Sequence, residues 1–316
     1  MTKQLYWRDH GTRGTAPRHS DHRRRAANVD FYARLLGLRL VKKTVNFDQP
    51  DVYHLYFGDE RGTPGSILTF FEFPGAAKGH AGDGMVHTVQ WRVASDEALA
   101  FWAARLAADG IATERAEGAL SFADFEGLRH ELVTVAVDDA PLVAQAPDIP
   151  PEHALLGFHG VRAYAAQPQA SAPLLEALGF RSDGGADWTL AGEQRRAALR
   201  YEQPPAERGV TSAGTVHHVA WSAADDAELE EFRARAIQAG AHATEIIDRQ
   251  YFHSVYFREP SGVLFELASR DIGFQYDEPV ESLGEALKLP PQYESRRDQL
   301  EQALTPLTNP RAGTAA

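Results

Sequence analysis

Two short segments of the C-terminal half carry side chains that could hold a metal. GTVHHVAW, Gly214 to Trp221, presents a histidine pair, and DRQYFHSVYFREPSGVLFEL, Asp248 to Leu267, presents Glu266 inside an apolar run. An imidazole on one strand and a carboxylate on another is how a β-scaffold holds a divalent metal with coordination positions left open. The chain has no cysteine, which excludes disulfides and thiolate sites and leaves His, Asp and Glu as the strong ligands. An oxygen-using iron site fits that set; a zinc finger does not. Glu266, with apolar residues on both sides, is costly to bury without a metal or a cationic partner. Because side chains alternate along a strand, His217 and His218 are expected to face opposite sides, one as a ligand and the other in a different role.

The elements that must position these groups repeat along the chain. GMVHTVQW, Gly84 to Trp91, and GTVHHVAW share the frame G-x-V-H-x-V-x-W. Leu36-Gly37-Leu38 after the run VDFYARL is echoed by Leu178-Gly179-Phe180 after APLLEA, and FEGLRHELV, Phe125 to Val133, by SGVLFELAS, Ser261 to Ser269. The last pair are glycine turns feeding strands that carry Glu131 and Glu266. The echoes predict four units of one grammar: a strand, an amphipathic helix ending near a glycine, then two or three strands. With 316 residues and 43% hydrophobic content, two domains are expected. Residues 28–138 would form the first from units one and two, and residues 155–270 the second from units three and four. A Pro- and Ala-rich linker at 139–154 would join them, and a tail, 271–316, would end in a short helix lying against the domains.

A net charge of −12 argues against nucleic acid as a partner. No apolar run approaches the length of a membrane span, so a cytoplasmic protein that takes a small molecule is expected.

Four βαβββ units resemble the vicinal oxygen chelate superfamily, whose paired modules curl mixed sheets into cups around a metal. The α+β fold is therefore expected to hold four such modules in two cupped domains. The segments LLGLRLVKKTVNFDQPDVYHLYFGDERGTPGSILTFF, HHVAW and DRQYFHSVYFREPSGVLFE are similar to one branch, the ring-cleaving dioxygenases that act on hydroquinones. That resemblance implies His218 and Glu266 as metal ligands, with His217 beside them as a catalytic or substrate-contacting group. It also implies Arg249 as a holder of an anionic ring intermediate and Tyr256 as a proton carrier. The implied cofactor is Fe(II), although Mn(II) suits the same ligands, and the implied partners are an aromatic hydroquinone or catechol, O2 and further copies of the chain. A glyoxalase-like isomerase or lyase, or a binding or resistance protein without chemistry, is the alternative on the same scaffold. His54 and His87 are expected to be core histidines with satisfied nitrogens, and His253 to lie near the site or on a surface strand.

The N-terminus departs from the branch, whose first strand carries another His-His pair that supplies a third ligand. Here the matching stretch, Thr15 to Ala27, has no Leu, Ile, Val or Phe to bury, so module one is expected to lack its first strand and leave a sheet edge open. His19, His22 or His159 is then the candidate third ligand. Residues 1–27 read as an anomalous segment with a physical explanation at the codon level. Ala16-Pro17-Arg18-His19 can be encoded by codons that, read one base later, give the start of His-His-Val-Thr, which points to a shifted frame restored near Asn28. The nucleotide sequence of codons 10–28 is expected to permit that alternative reading; codons that cannot encode it would remove the idea.

Overall fold

The computed structural model describes residues 3–7 and 27–310 apart from 74, 193 and 308; for 3–7 the backbone alone is described. Four βαβββ modules follow one another. Module one has strands β1 (Lys3–Trp7), β2 (Arg39–Val45), β3 (Tyr53–Gly58) and β4 (Ile67–Phe71), with a π-helical turn at Asp30–Leu35. Module two has β5 (Val86–Val93), helix α1 (Asp96–Ala108), β6 (Thr113–Ala116), β7 (Ala119–Ala123) and β8 (Arg129–Thr134). Module three has β9 (Phe158–Tyr164), α2 (Ala172–Ala177), β10 (Phe180–Gly184), β11 (Asp187–Ala191) and β12 (Arg196–Glu202). Module four has β13 (His218–Ala223), α3 (Asp226–Gln238), β14 (Ile247–Asp248), β15 (His253–Arg258) and β16 (Leu264–Ser269).

Local signals account for these elements. Helix α1 starts where the Ser95 hydroxyl accepts from the Ala98 amide, and α3 where Asp225 accepts from Glu228. Leu99, Trp102 and Leu106 then present one buried face of α1 to the core. Strands β3 and β13 are buried at every position, because each lies inside a sheet covered on both faces.

The two eight-stranded sheets pair the modules differently from the expectation of consecutive halves. One runs β14-β15-β16-β13-β1-β4-β3-β2 and joins modules four and one; the other runs β10-β11-β12-β9-β5-β8-β7-β6 and joins three and two. The segment at 139–154 therefore links two modules of the same sheet. The chain passes between sheets through two connectors near residues 75–84 and 203–213, which bind each other: the Gly79 amide donates to Ala213 at 2.7 Å and the His80 amide to Val210 at 3.0 Å. Their contact is so close that a Cβ on Gly82 would lie 2.2 Å from the Gly209 nitrogen, so only glycine fits there.

The expected open edge in module one is filled. Strand β1 runs antiparallel to β13 and parallel to β4, pairing Gln4 with Ala220 and Tyr6 with both His218 and Thr69. It comes from residues upstream of the stretch judged unfit for a strand, and KQLYW has the apolar and aromatic residues which that stretch lacks. Thr15 to Ala26, including His19 and His22, lies outside the described residues. In module four Ala220 pairs with Glu266, four positions beyond Gly262; Thr69 likewise stands four beyond Gly65. Gln4 thus occupies the backbone position in module one that His218 occupies in module four.

His130 of β8 ties the modules' cores together. It is fully buried, accepts from Trp91 Nε1 at 3.1 Å, and places Nε2 3.1 Å from the hydroxyl of Tyr32 on module one's helical turn. Burial pushes its pKa down to about 3. The folded state keeps this imidazole neutral while the unfolded chain protonates it below about 6.5. His130 therefore costs no stability above that value and costs progressively more as pH falls towards 3. Equilibrium urea unfolding of His130→Gln is expected to lose stability less steeply than the parent between pH 6 and 4, by about 1.4 kcal/mol per pH unit. Equal slopes would show that His130 does not carry the effect.

Candidate metal centre and active site

Glu266, on β16, has no exposed surface. Its Oε1 accepts from the Ser254 hydroxyl and, at 2.7 Å, from the Tyr256 hydroxyl, both projecting from the neighbouring strand β15. Its Oε2 accepts no hydrogen bond among the described residues and lies 2.8 Å from His218 Nε2. Two donors each about 2.1 Å from one ion and at right angles stand about 3 Å apart, so this spacing suits a shared cation. On the other side of the ring, His218 Nδ1 is 2.8 Å from His217 Nδ1. A proton on His218 Nδ1, held there by His217, leaves the Nε2 lone pair for the ion.

The pair opens onto a cavity of about 320 Å³ whose wall includes Phe47, Phe71, Phe252 and Leu264, with His54, Tyr56, Arg249 and Tyr256 as polar groups. Arg249 sits at the end of β14, its Nε donating to the Tyr256 hydroxyl at 3.3 Å and its guanidinium 5.4 Å from the centre of that ring. The guanidinium thus meets a phenol. Burial, reinforced by the Glu266 carboxylate, raises the pKa of Tyr256 well above the usual phenol range and keeps its proton in place. Burial, then the Arg249 and His218 charges, holds His54 neutral.

His217, His218, Arg249, Tyr256 and Glu266 are thus brought together. The expectation that the two histidines face opposite ways is corrected, since both line the cavity. Strand β13 begins at His218, so His217 precedes the pleat and does not obey its alternation. His54 has both nitrogens satisfied, Nδ1 at 2.9 Å from Tyr56 OH and Nε2 at 3.2 Å from Thr69 Oγ1, yet it stands in the cavity wall. Sequence reasoning missed Tyr56 and the aromatic wall; the alternation of YHLYFG, which puts His54 and Tyr56 on one face, was the available signal. His253 turns away and binds Asp226 at 2.6 Å. His159 lies on β9 of the other sheet and does not share this cup.

That second cup has the echoing residues without the echoing chemistry. Gln90 pairs with Glu131 in the register by which Ala220 pairs with Glu266, but Thr88 stands where His218 does. Glu131 is held by Gln90 Nε2 at 2.5 Å and by Arg162 at 3.1 Å, and Arg162 also binds Glu202, which His87 approaches at 3.3 Å. An internal guanidinium supplies the positive charge there.

The residues present fit a divalent metal at His218 and Glu266. Among the described residues no group of three or more His, Asp or Glu is placed around one ion.

Comparison with known proteins agrees with the fold. The model of the Glyoxalase/Bleomycin resistance protein/Dioxygenase superfamily matches residues 23–126 and 137–267. "Putative ring-cleaving dioxygenase MhqO" of Bacillus subtilis is 40% identical over 288 residues, covering 88% of this chain and 91% of the relative. The "Chlorohydroquinone/hydroquinone 1,2-dioxygenase" of Sphingobium indicum is 31% identical, covering 86% and 90%. A crystal structure of a "putative dioxygenase" from Bacillus subtilis superposes with a TM-score of 0.82 at 39% identity, over 90% of this chain and 94% of that one. Glyoxalase I from Zea mays, at 15% identity and a TM-score of 0.55 over 85% and 92%, shares the fold.

Mn(II) titration followed by electron paramagnetic resonance separates the two cups. His218→Ala is expected to weaken binding by more than the roughly 10–100-fold that loss of an outer hydrogen-bond partner costs. Glu131→Gln is expected to leave it within about twofold; equal losses in the two variants would move the metal away from Glu266.

Proposed function

The chain belongs to the glyoxalase/bleomycin resistance protein/dioxygenase superfamily, and within it we propose an iron(II)-dependent dioxygenase that cleaves the ring of a hydroquinone or catechol. The observation that carries this proposal is the buried His218–Glu266 pair opening onto an aromatic-walled cavity with a guanidinium at its side. The named activities of the relatives support it.

His218 and Glu266 would hold the iron, which supplies Lewis acidity toward a ring hydroxyl and a place for dioxygen. The cavity is of a size for one substituted ring, and its phenylalanines exclude water from the reacting face. His217, whose Nδ1 accepts from His218, carries its ring proton on Nε2 and would donate it to the oxygen of the ring hydroxyl as that hydroxyl ionises. Arg249 balances the negative charge that then spreads over the ring. Tyr256, anchored to Glu266, fixes the direction of that guanidinium and keeps a donor aimed at the carboxylate.

Oxygen uptake by the full chain, loaded anaerobically with Fe(II) and given hydroquinone or catechol, tests the proposal. Uptake at stoichiometry one with ring loss is expected, with His218→Ala reducing kcat by at least about 100-fold, since general acid–base and metal terms each contribute on that order. Turnover of a hemithioacetal without oxygen uptake would replace the proposal with an isomerase, and binding of hydroquinone without reaction would replace it with a binding protein.

A further inference from the structure

Arg249 stands on a strained turn. Gln250, the next residue, has φ +67, a left-handed conformation that is strained for a residue with a side chain and persists only where the surroundings impose it. Part of the restraint is local: Asp248 Oδ1 accepts from the Gln250 amide at 2.6 Å. The rest comes from the tail. The Tyr251 hydroxyl donates to Asp277 Oδ2 at 2.9 Å, Gln250 Nε2 approaches the same oxygen at 3.4 Å, and the Gly273 amide donates to the Tyr251 carbonyl at 2.9 Å.

Asp277 is itself held by a cation from module one. Lys42 of β2 has a side chain with no exposed surface, and its Nζ lies 2.5 Å from Asp277 Oδ1 and 2.5 Å from Glu278 Oε2. The same ammonium sits 4.8 Å from the centre of the Tyr251 ring. A buried lysine bonded to two carboxylates is an expensive way to pack a surface segment, and hydrophobic residues of like volume would do so as well. A charged cluster instead fixes direction. The tail makes a second attachment at a residue of the cavity wall, where the Tyr293 hydroxyl donates to the carbonyl of Phe47 at 2.6 Å. None of Lys42, Asp277, Glu278 or Tyr251 lines the cavity.

We infer that the Lys42–Asp277–Tyr251 cluster is a positioning device, by which the docked tail sets the turn that aims Arg249 into the substrate cavity. Its catalytic consequence rests on the function proposed above; its structural part does not. Lys42, Asp277 and Tyr251 act through Arg249 and touch neither substrate nor metal.

Asp277→Asn in the full, Fe(II)-loaded chain tests this, with Tyr251→Phe as the milder variant should the first fail to fold. Three readouts are taken: amide hydrogen exchange at residues 249–252, kcat/KM for hydroquinone, and Mn(II) affinity. Exchange at 249–252 is expected to quicken at least tenfold and kcat/KM to fall about tenfold, with Mn(II) affinity within twofold of the parent. In an Arg249→Ala background the same change is expected to cost less than a further twofold, because the group it positions is gone. Unchanged exchange at 249–252, or a full additional loss in the Arg249→Ala background, overturns the inference. Absence of turnover in the parent chain would fail the proposed function alone, and the exchange readout would still decide whether the cluster holds the turn.

Discussion

A carboxylate without exposed surface is the constraint around which this protein is arranged. Leaving an ionised Glu266 unpaired in the sheet would cost several kcal/mol, so its two oxygens must each be answered. Ser254 and Tyr256 answer Oε1 from the adjacent strand, and His218 stands at Oε2. Anchoring the phenol to the carboxylate in turn fixes what the phenol can hold, and Arg249 rests on it. The polar side of the cavity therefore grows outward from one buried charge, and the apolar side is what the remaining sheet residues supply.

The sequence carried the parts of this arrangement that depend on local pattern. His218 and Glu266 were legible because each sits in a repeated frame, and Arg249 and Tyr256 because their run matches a long motif. The four modules were legible from the same echoes. Which modules share a sheet was not, because strand pairing between modules depends on contacts between residues far apart, and the two connectors that settle it show only as glycines at 79, 82 and 209. The orientation of His217 was misjudged for a narrower reason: alternation governs residues inside a strand, and the strand starts one residue later. The filling of module one's edge by Lys3–Trp7 was hidden by the polar stretch that follows it in the chain.

The two cups differ in what answers an equivalent carboxylate. Glu131 and Glu266 occupy equivalent register positions, and both need a positive partner. In one cup the partner is covalently part of the chain, as Arg162; in the other the opposing strand offers an imidazole instead. A guanidinium satisfies a carboxylate permanently and leaves no ligand position for chemistry. The same backbone thus closes its carboxylate with an internal cation on one side and leaves it beside an imidazole and a cavity on the other.

The nesting of the modules sets an order of assembly. The sheet of modules two and three draws all its strands from residues 86–202, an unbroken stretch with a short internal linker. The other sheet joins strands from the first 71 residues to strands beyond residue 218, so its closure has a far larger loop entropy to overcome. During synthesis the inner sheet can be complete while Glu266 is still to be made, and module one must wait with the β1 edge that faces β13 unpaired. The His218–Glu266 pair is consequently made only after every strand of the inner sheet, which can fold before it.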